Sequence, residues 1–371
     1  MRSPVDLLMA LARRYAFGDV GALASFAVAD WRRVAAVCEF GQRLLTLDAE
    51  DFANGADARH IPAELRRQAR ACHMPQTARE QPRGALDSLR PAYGLLLEVI
   101  RVRWDRHELS PVTAAVHIAA EYLPLLAFET VLGHAGDPAR WPAGLRAEGS
   151  RFGVLGDREC DHTKAETSAV ERTLRVAGEP APGWQAYFDR QHSLVAGALA
   201  TCVARCRRPC TAMDWIDPDL REDLALRCRV ALGFAESPVV RLRHAAPVGH
   251  GFGVPSREEV LEAWERSRAQ LDKNDVGREA RRDDGFPLPG LPSLFSAVAG
   301  VRIEPATLLA DTAAHVADLL AAAGPLDAAA ASAEGPSGPH AATGPAAPGA
   351  RDAAGPHGDS AGTRDAAAER S

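Results

Sequence analysis

Ser110-Pro111-Val112-Thr113-Ala114-Ala115-Val116-His117-Ile118-Ala119-Ala120-Glu121-Tyr122-Leu123-Pro124-Leu125-Leu126-Ala127-Phe128-Glu129-Thr130-Val131-Leu132-Gly133 reads as one helix from end to end. Ser110 suits the N-cap, Pro111 suits a first turn whose N–H groups have no helical acceptor, and Gly133 suits the left-handed residue that ends a helix. The residues between are nearly all apolar, so the segment belongs inside a protein. Pro124 deletes the helix hydrogen bond to Ala120, which predicts a kink beside Glu121.

The same punctuation recurs outward from this run. Asp217-Pro218 opens a helix to about Ala235. Ser256-Arg257-Glu258-Glu259 is a capping box, since Glu259 can reach back to the N–H of Ser256. Glu304-Pro305 opens a last helix with Leu308, Leu309, Ala313, Val316, Leu319 and Leu320 on one stripe. Further helices are expected over Val5–Tyr15, Val20–Leu45, Pro62–Cys72, Ala85–Asp105, Asp161–Val176 and Trp184–Arg207. The nearest approach to a strand, Val239–Arg243, is too short to seed a sheet. The expected fold is all-α, with about nine or ten helices in one domain over residues 1–325. A subdivision near 135–156, where Gly, Pro and Arg cluster, is the alternative. From 326 to 371 the chain is almost only Ala, Gly, Pro, Ser, Thr, His and a few charges. Such a segment cannot bury enough apolar surface to offset the entropy of ordering it, so a disordered tail is expected.

Hydrophobic residues are 46% and charged residues 25% of the 371, proportions that exclude a wholly disordered chain. The net charge of -6 gives no electrostatic reason to bind nucleic acid or anionic lipid. Lys164 and Lys273 are the two lysines among 43 basic residues. The arginines therefore reflect GC-rich codon usage more than phosphate binding. No apolar run reaches the roughly 18 residues a membrane span needs. Arg13-Arg14 before Val20–Ala29 superficially suggests a twin-arginine export signal, but Asp19 and the amphipathic pattern continuing to Val34 argue against it. The seven cysteines are odd in number and scattered. They read as reduced thiols in a cytoplasmic protein, not as a disulfide framework.

Two constellations carry the expected chemistry. On the Pro111–Leu132 helix His117 and Glu121 share a face, with Glu129 two turns further. Glu98 lies in an apolar setting on the preceding helix, and Asp189 and His192 stand three apart on a later one. A carboxylate among apolar neighbours must be paired, hydrogen-bonded or metal-bound. Glu98, His117, Glu121, Asp189 and His192 are thus the expected ligands of a transition metal, with His117, Glu121 and His192 as acid–base groups. A histidine axial to a haem is the other version. The competing reading pairs each acid with an arginine. The second constellation is Arg241-Leu242-Arg243-His244 with the Gly- and His-rich loop through His250 to Ser256. Arg241, Arg243, His244 and His250, feeding into a helix N-terminus, suit a carboxylate or phosphate. Its plainer reading is a structured connection.

Other clusters are weaker. Asp283-Asp284 precedes a Pro-rich apolar run that reads as a strap over helices. Cys202, Cys206 and Cys210 are spaced by four, and with Cys228 they admit a four-thiolate site. That spacing matches zinc and iron–sulfur patterns poorly, so small buried hydrophobes is the reading adopted. Two functions follow as expectations. One is a metal- or haem-dependent enzyme acting on a small anionic molecule, with redox chemistry ahead of hydrolysis. The other is a non-catalytic interaction or regulatory protein that recruits a partner through its tail.

Overall fold

The computed structural model describes residues 3–50, 58–77, 80–137, 196–206, 216–245 and 253–323, with isolated residues between them. By backbone contacts the chain divides into Met1–Leu326 and Asp327–Ser371. The second unit, where the tail was expected, lies outside the described residues, as do Asp189, His192 and His250.

The first unit is all-α. Its helices are α1 (Pro4–Ala12), α2 (Phe17–Leu23), α3 (Trp31–Thr46), α4 (Ala63–Cys72), α5 (Arg90–Asp105), α6 (Leu109–Leu132), α7 (Pro218–Ala235), α8 (Pro238–Arg241), α9 (Arg257–Leu271), α10 (Asp275–Arg278), α11 (Leu291–Ala299) and α12 (Leu308–Ala322). A further helical stretch covers 196–204. The expected helix over Val20–Leu45 is two helices, because the chain turns through a 3-10 segment at Ala24–Phe26 before α3 begins. The near-strand at Val239–Arg243 is instead the end of α8 and a 3-10 turn over Leu242–Ala245. The last helix starts at Leu308, three residues beyond Pro305.

The deciding helix α6 is continuous through Pro124, starts one residue before Ser110, and ends on Gly133 at φ 72°. Its capping expectation fails at Ser110, since Glu108 occupies the N-cap without a side-chain bond. The expectation holds at α9, where Ser256 Oγ accepts the Glu259 N–H at 3.2 Å and Glu259 Oε2 accepts the Ser256 N–H at 2.7 Å. Among the described helices, α6 is long and apolar enough by length and composition to cross a membrane, against the sequence expectation; most of it is buried inside the protein. A core helix enclosed by others has the same composition as a membrane span.

Apolar periodicity sorts the helices into two cores, and α5 forms the wall between them. Leu95, Val99 and Val102 of α5 pack into one core with α1 to α4 and α12. Tyr93, Leu96, Leu97 and Ile100 pack into the other with α6, residues 196–202, α7, α9 and α11. In the second core an aromatic chain runs Tyr93–Phe295–Phe234–Trp264, each pair edge to face at 5.1, 5.8 and 6.3 Å, a geometry that favours aromatic rings. The Trp264 indole N–H donates to the Pro289 carbonyl at 3.0 Å. The Pro-rich run is therefore anchored over α9, and then it coils into α11. Asp284 organises that turn by accepting from the N–H groups of Phe286 and Gly290 and from Ser293 Oγ.

Candidate functional site

Two of the buried acids close helix ends. Glu98 is 5% exposed, and its two oxygens accept the N–H groups of Leu309 and Ala310, each at 3.0 Å. These are first-turn donors of α12 with no partner inside their own helix. Burial pushes the Glu98 carboxyl up to about 7, while these backbone donors and that of Leu308 pull it down. Glu129, 4% exposed, does the same for α5. It accepts from Ser88 Oγ at 2.6 Å, from the Leu89 N–H at 2.9 Å and from Arg90 Nε at 3.0 Å. Each apolar helix thus spends its buried carboxylate on the positive end of another helix. The sequence anticipated burial with a partner; for Glu98 that partner is backbone, and for Glu129 it is one backbone N–H with the Ser88 hydroxyl and the Arg90 guanidinium, as the competing arginine reading expects.

His117 and Glu121 do meet, with Nε2 to Oε1 at 3.0 Å. The imidazole lowers the Glu121 carboxyl below the usual range, and Arg243 adds to the effect. Arg243 is half-buried on the 3-10 turn that packs against α6, and its Nε is buried without a hydrogen-bond partner. Helix α8, which leads into the turn, is held by the buried Ser267, whose Oγ accepts the Val239 N–H at 3.0 Å. One arginine of the expected anion loop thus stands beside the expected acid–base pair. Arg241 and His244 are exposed. At the N-terminus of α9 the capping box engages the N–H groups of Ser256 and Glu259, and residues 246–252 of the expected anion loop lie outside the described residues.

The expected metal set does not assemble among its described members. Within the described residues, the group of three ligand atoms lying within 4.8 Å of one another is His162, Cys202 and Cys206, and Glu98, His117 and Glu121 form none. Glu98 is corrected from ligand to helix cap because both its oxygens are engaged by backbone donors. Cys202 is buried on the helical stretch 196–204, and Cys206 is half-buried just past its end. A spacing of four puts the two sulfurs on one side. His162 comes from a distant part of the chain, its Nε2 3.7 Å from Cys206 Sγ.

The cysteine reading from sequence is therefore corrected in part. Cys228 is buried with its thiol pushed well above its ordinary value, as a small hydrophobe should be. Cys202 is likewise buried in the core, but it and Cys206 have also gathered an imidazole. The available signal was His162 next to Cys160 and Asp161 in sequence, together with a pair of cysteines one turn apart. Their distance in sequence hid the association. Cys160 and Cys210 fall outside the described residues. No protein-family model, curated protein or solved structure matches this chain.

Proposed function

We propose that the protein binds a borderline or soft transition-metal ion, zinc foremost, through His162, Cys202 and Cys206. The observation that carries this reading is the mutual approach of the three ligand atoms to within 4.8 Å. In a tetrahedral zinc site with bonds of about 2.3 Å to sulfur and about 2.0 Å to nitrogen, neighbouring S and N atoms lie about 3.6 Å apart. The Cys206 Sγ to His162 Nε2 distance of 3.7 Å fits that edge. Thiolate with imidazole favours zinc, copper(I) or iron over magnesium or calcium.

The test uses the full chain, stripped with a chelator and titrated with Zn2+ and Co2+. One equivalent should bind, and the cobalt form should show thiolate-to-metal charge-transfer absorption. The double variant C202S/C206S, checked for helicity by circular dichroism, should lose both. Absence of binding, or binding unchanged in that variant, overturns the reading.

A second reading, acid–base chemistry on a small anion, is favoured by a separate observation. Arg243 stands close enough to Glu121 to lower its carboxyl, while one of its own N–H groups is buried without a hydrogen-bond partner. In this reading Arg243 orients the anion, and the His117–Glu121 pair holds or passes a proton. Chemical-shift titration with inorganic phosphate and with acetate tests it. Resonances of α6 should move in the native protein and stay put in R243A. No movement in either protein removes this second reading.

A further inference from the structure

We propose that the same three residues form a thiol-redox site, in which a peroxide joins Cys202 to Cys206 as a disulfide and releases the metal. This rests on the metal-binding reading above and adds a means of regulating it.

The described cysteines fall into two kinds. Cys38, Cys72 and Cys228 are buried, and burial holds the Cys38 and Cys72 thiols up at about 12 and Cys228 higher still. Such thiols stay protonated and react slowly, because the thiolate is the nucleophile. Cys202 is buried as well, but it and Cys206 differ in having each other's sulfur and an imidazole within 4.8 Å. Cys206 is also the less buried residue of the pair and sits past the last helical residue of its stretch, so it is the one to meet the oxidant first. A disulfide needs its sulfurs about 2.05 Å apart. Closing from the observed approach is a movement of under about 3 Å, within reach of side-chain rotation. Thiolates held by a metal are deprotonated already, so the ion keeps both sulfurs nucleophilic until they are oxidised.

The chemistry balances with a peroxide as oxidant. The Cys206 thiolate attacks one peroxide oxygen, the O–O bond breaks, and the departing oxygen takes a proton to leave as water or an alcohol. The resulting sulfenic acid at Cys206 is attacked by the Cys202 thiolate. The S–O bond breaks, and hydroxide leaves with a second proton as water. Two thiolates, one peroxide and two protons give one disulfide, one water from the sulfenic acid, and a second water or, from an alkyl peroxide, one alcohol. The two sulfurs have lost two electrons and the peroxide has gained them. His162 is then the one donor of the described group still available, and the ion departs.

The experiment treats full-length, zinc-loaded protein with stepwise hydrogen peroxide, and stripped protein in parallel. A colorimetric chelator reads zinc, a thiol reagent reads cysteines, and peptide mass spectrometry locates any crosslink. The expected result is one zinc released and two thiols lost per peroxide, with the crosslink between Cys202 and Cys206. Dithiothreitol should restore both thiols and zinc binding. C228S should behave as the native protein does, and C206S should form no crosslink to Cys202. Zinc retained through the peroxide titration, or released with the crosslink elsewhere, overturns the inference while leaving metal binding intact. Failure of the starting protein to take up zinc overturns both the metal reading and the release step. The stripped sample then shows independently whether the thiols couple.

Discussion

The acids of α5 and α6 and the thiol–imidazole group around Cys202 are both polar chemistry set among apolar helices, yet they end in opposite arrangements. Glu98 and Glu129 disperse, each to the N-terminus of a different helix. His162, Cys202 and Cys206 converge from distant parts of the chain. The difference lies in what can satisfy each group. A carboxylate finds its strongest uncommitted donors in the first turn of a helix, which every helix supplies. A thiol gains little from backbone N–H groups, so gathering two of them with an imidazole has no comparable role in capping. Dispersal therefore marks a structural use, and convergence is the arrangement on which the proposed metal site rests.

The largest effect expected from breaking this comparison is at the converging group. Replacing Cys202 or Cys206 with Ser should weaken zinc binding by more than about 100-fold, the upper range for loss of a group that merely supports a ligand. Glu129→Gln should leave affinity within a few-fold of native, as read by competition against a chelator of known affinity. Equal losses in the two would mean that the acids and thiols are not functionally distinct. Next in size is Glu129→Ala. It strands the N–H of Leu89 and the hydroxyl of Ser88 and leaves Arg90 without its ion pair. Urea unfolding should register a loss of about 1–3 kcal/mol, as for a buried donor left without its acceptor.

The fold was legible because helix punctuation is local. Gly133, the Ser256 capping box and the Asp217-Pro218 start all mark helix ends in the structure. Misreadings came where a local signal had a second use. Ser110-Pro111 looks like a helix start and lies inside the first turn. The Val239–Arg243 alternation is a helix end that faces α6 on one side. Of the candidate site, the His117–Glu121 pair was legible because four residues on a helix fix proximity. The partners of Glu98 were not, since Leu309 and Ala310 lie more than two hundred residues away. His162 was invisible for the same reason. Sequence spacing carries no information on contacts between distant segments.

Glu98 sharpens the comparison through pH. Its carboxyl is pushed from the ordinary 4.5 up to about 7 by burial, so the folded protein holds the proton more tightly than the unfolded chain. Stability from this group is greatest below about pH 4.5. It falls as pH rises, because the unfolded chain ionises first, and levels off above about pH 7. The full span is on the order of 3 kcal/mol, and E98Q should flatten it in urea titrations at pH 5 and pH 8. An unchanged slope in E98Q would show that the carboxylate pays no net burial cost at the α12 terminus.

The smallest effect is at Glu121, where the sign reverses. His117 and Arg243 hold that carboxyl below its ordinary value, so its stabilising contribution is present above about pH 4.5 and is lost as pH falls further. The side chain is 40% exposed, and water screens most of the attraction. E121Q should therefore cost less than about 1 kcal/mol at pH 7, and the cost should vanish on acidification. A loss as large as that from Glu129→Ala would place Glu121 with the structural acids. A small loss leaves the His117–Glu121–Arg243 surface unnecessary for the fold, which is what the second functional reading requires of it.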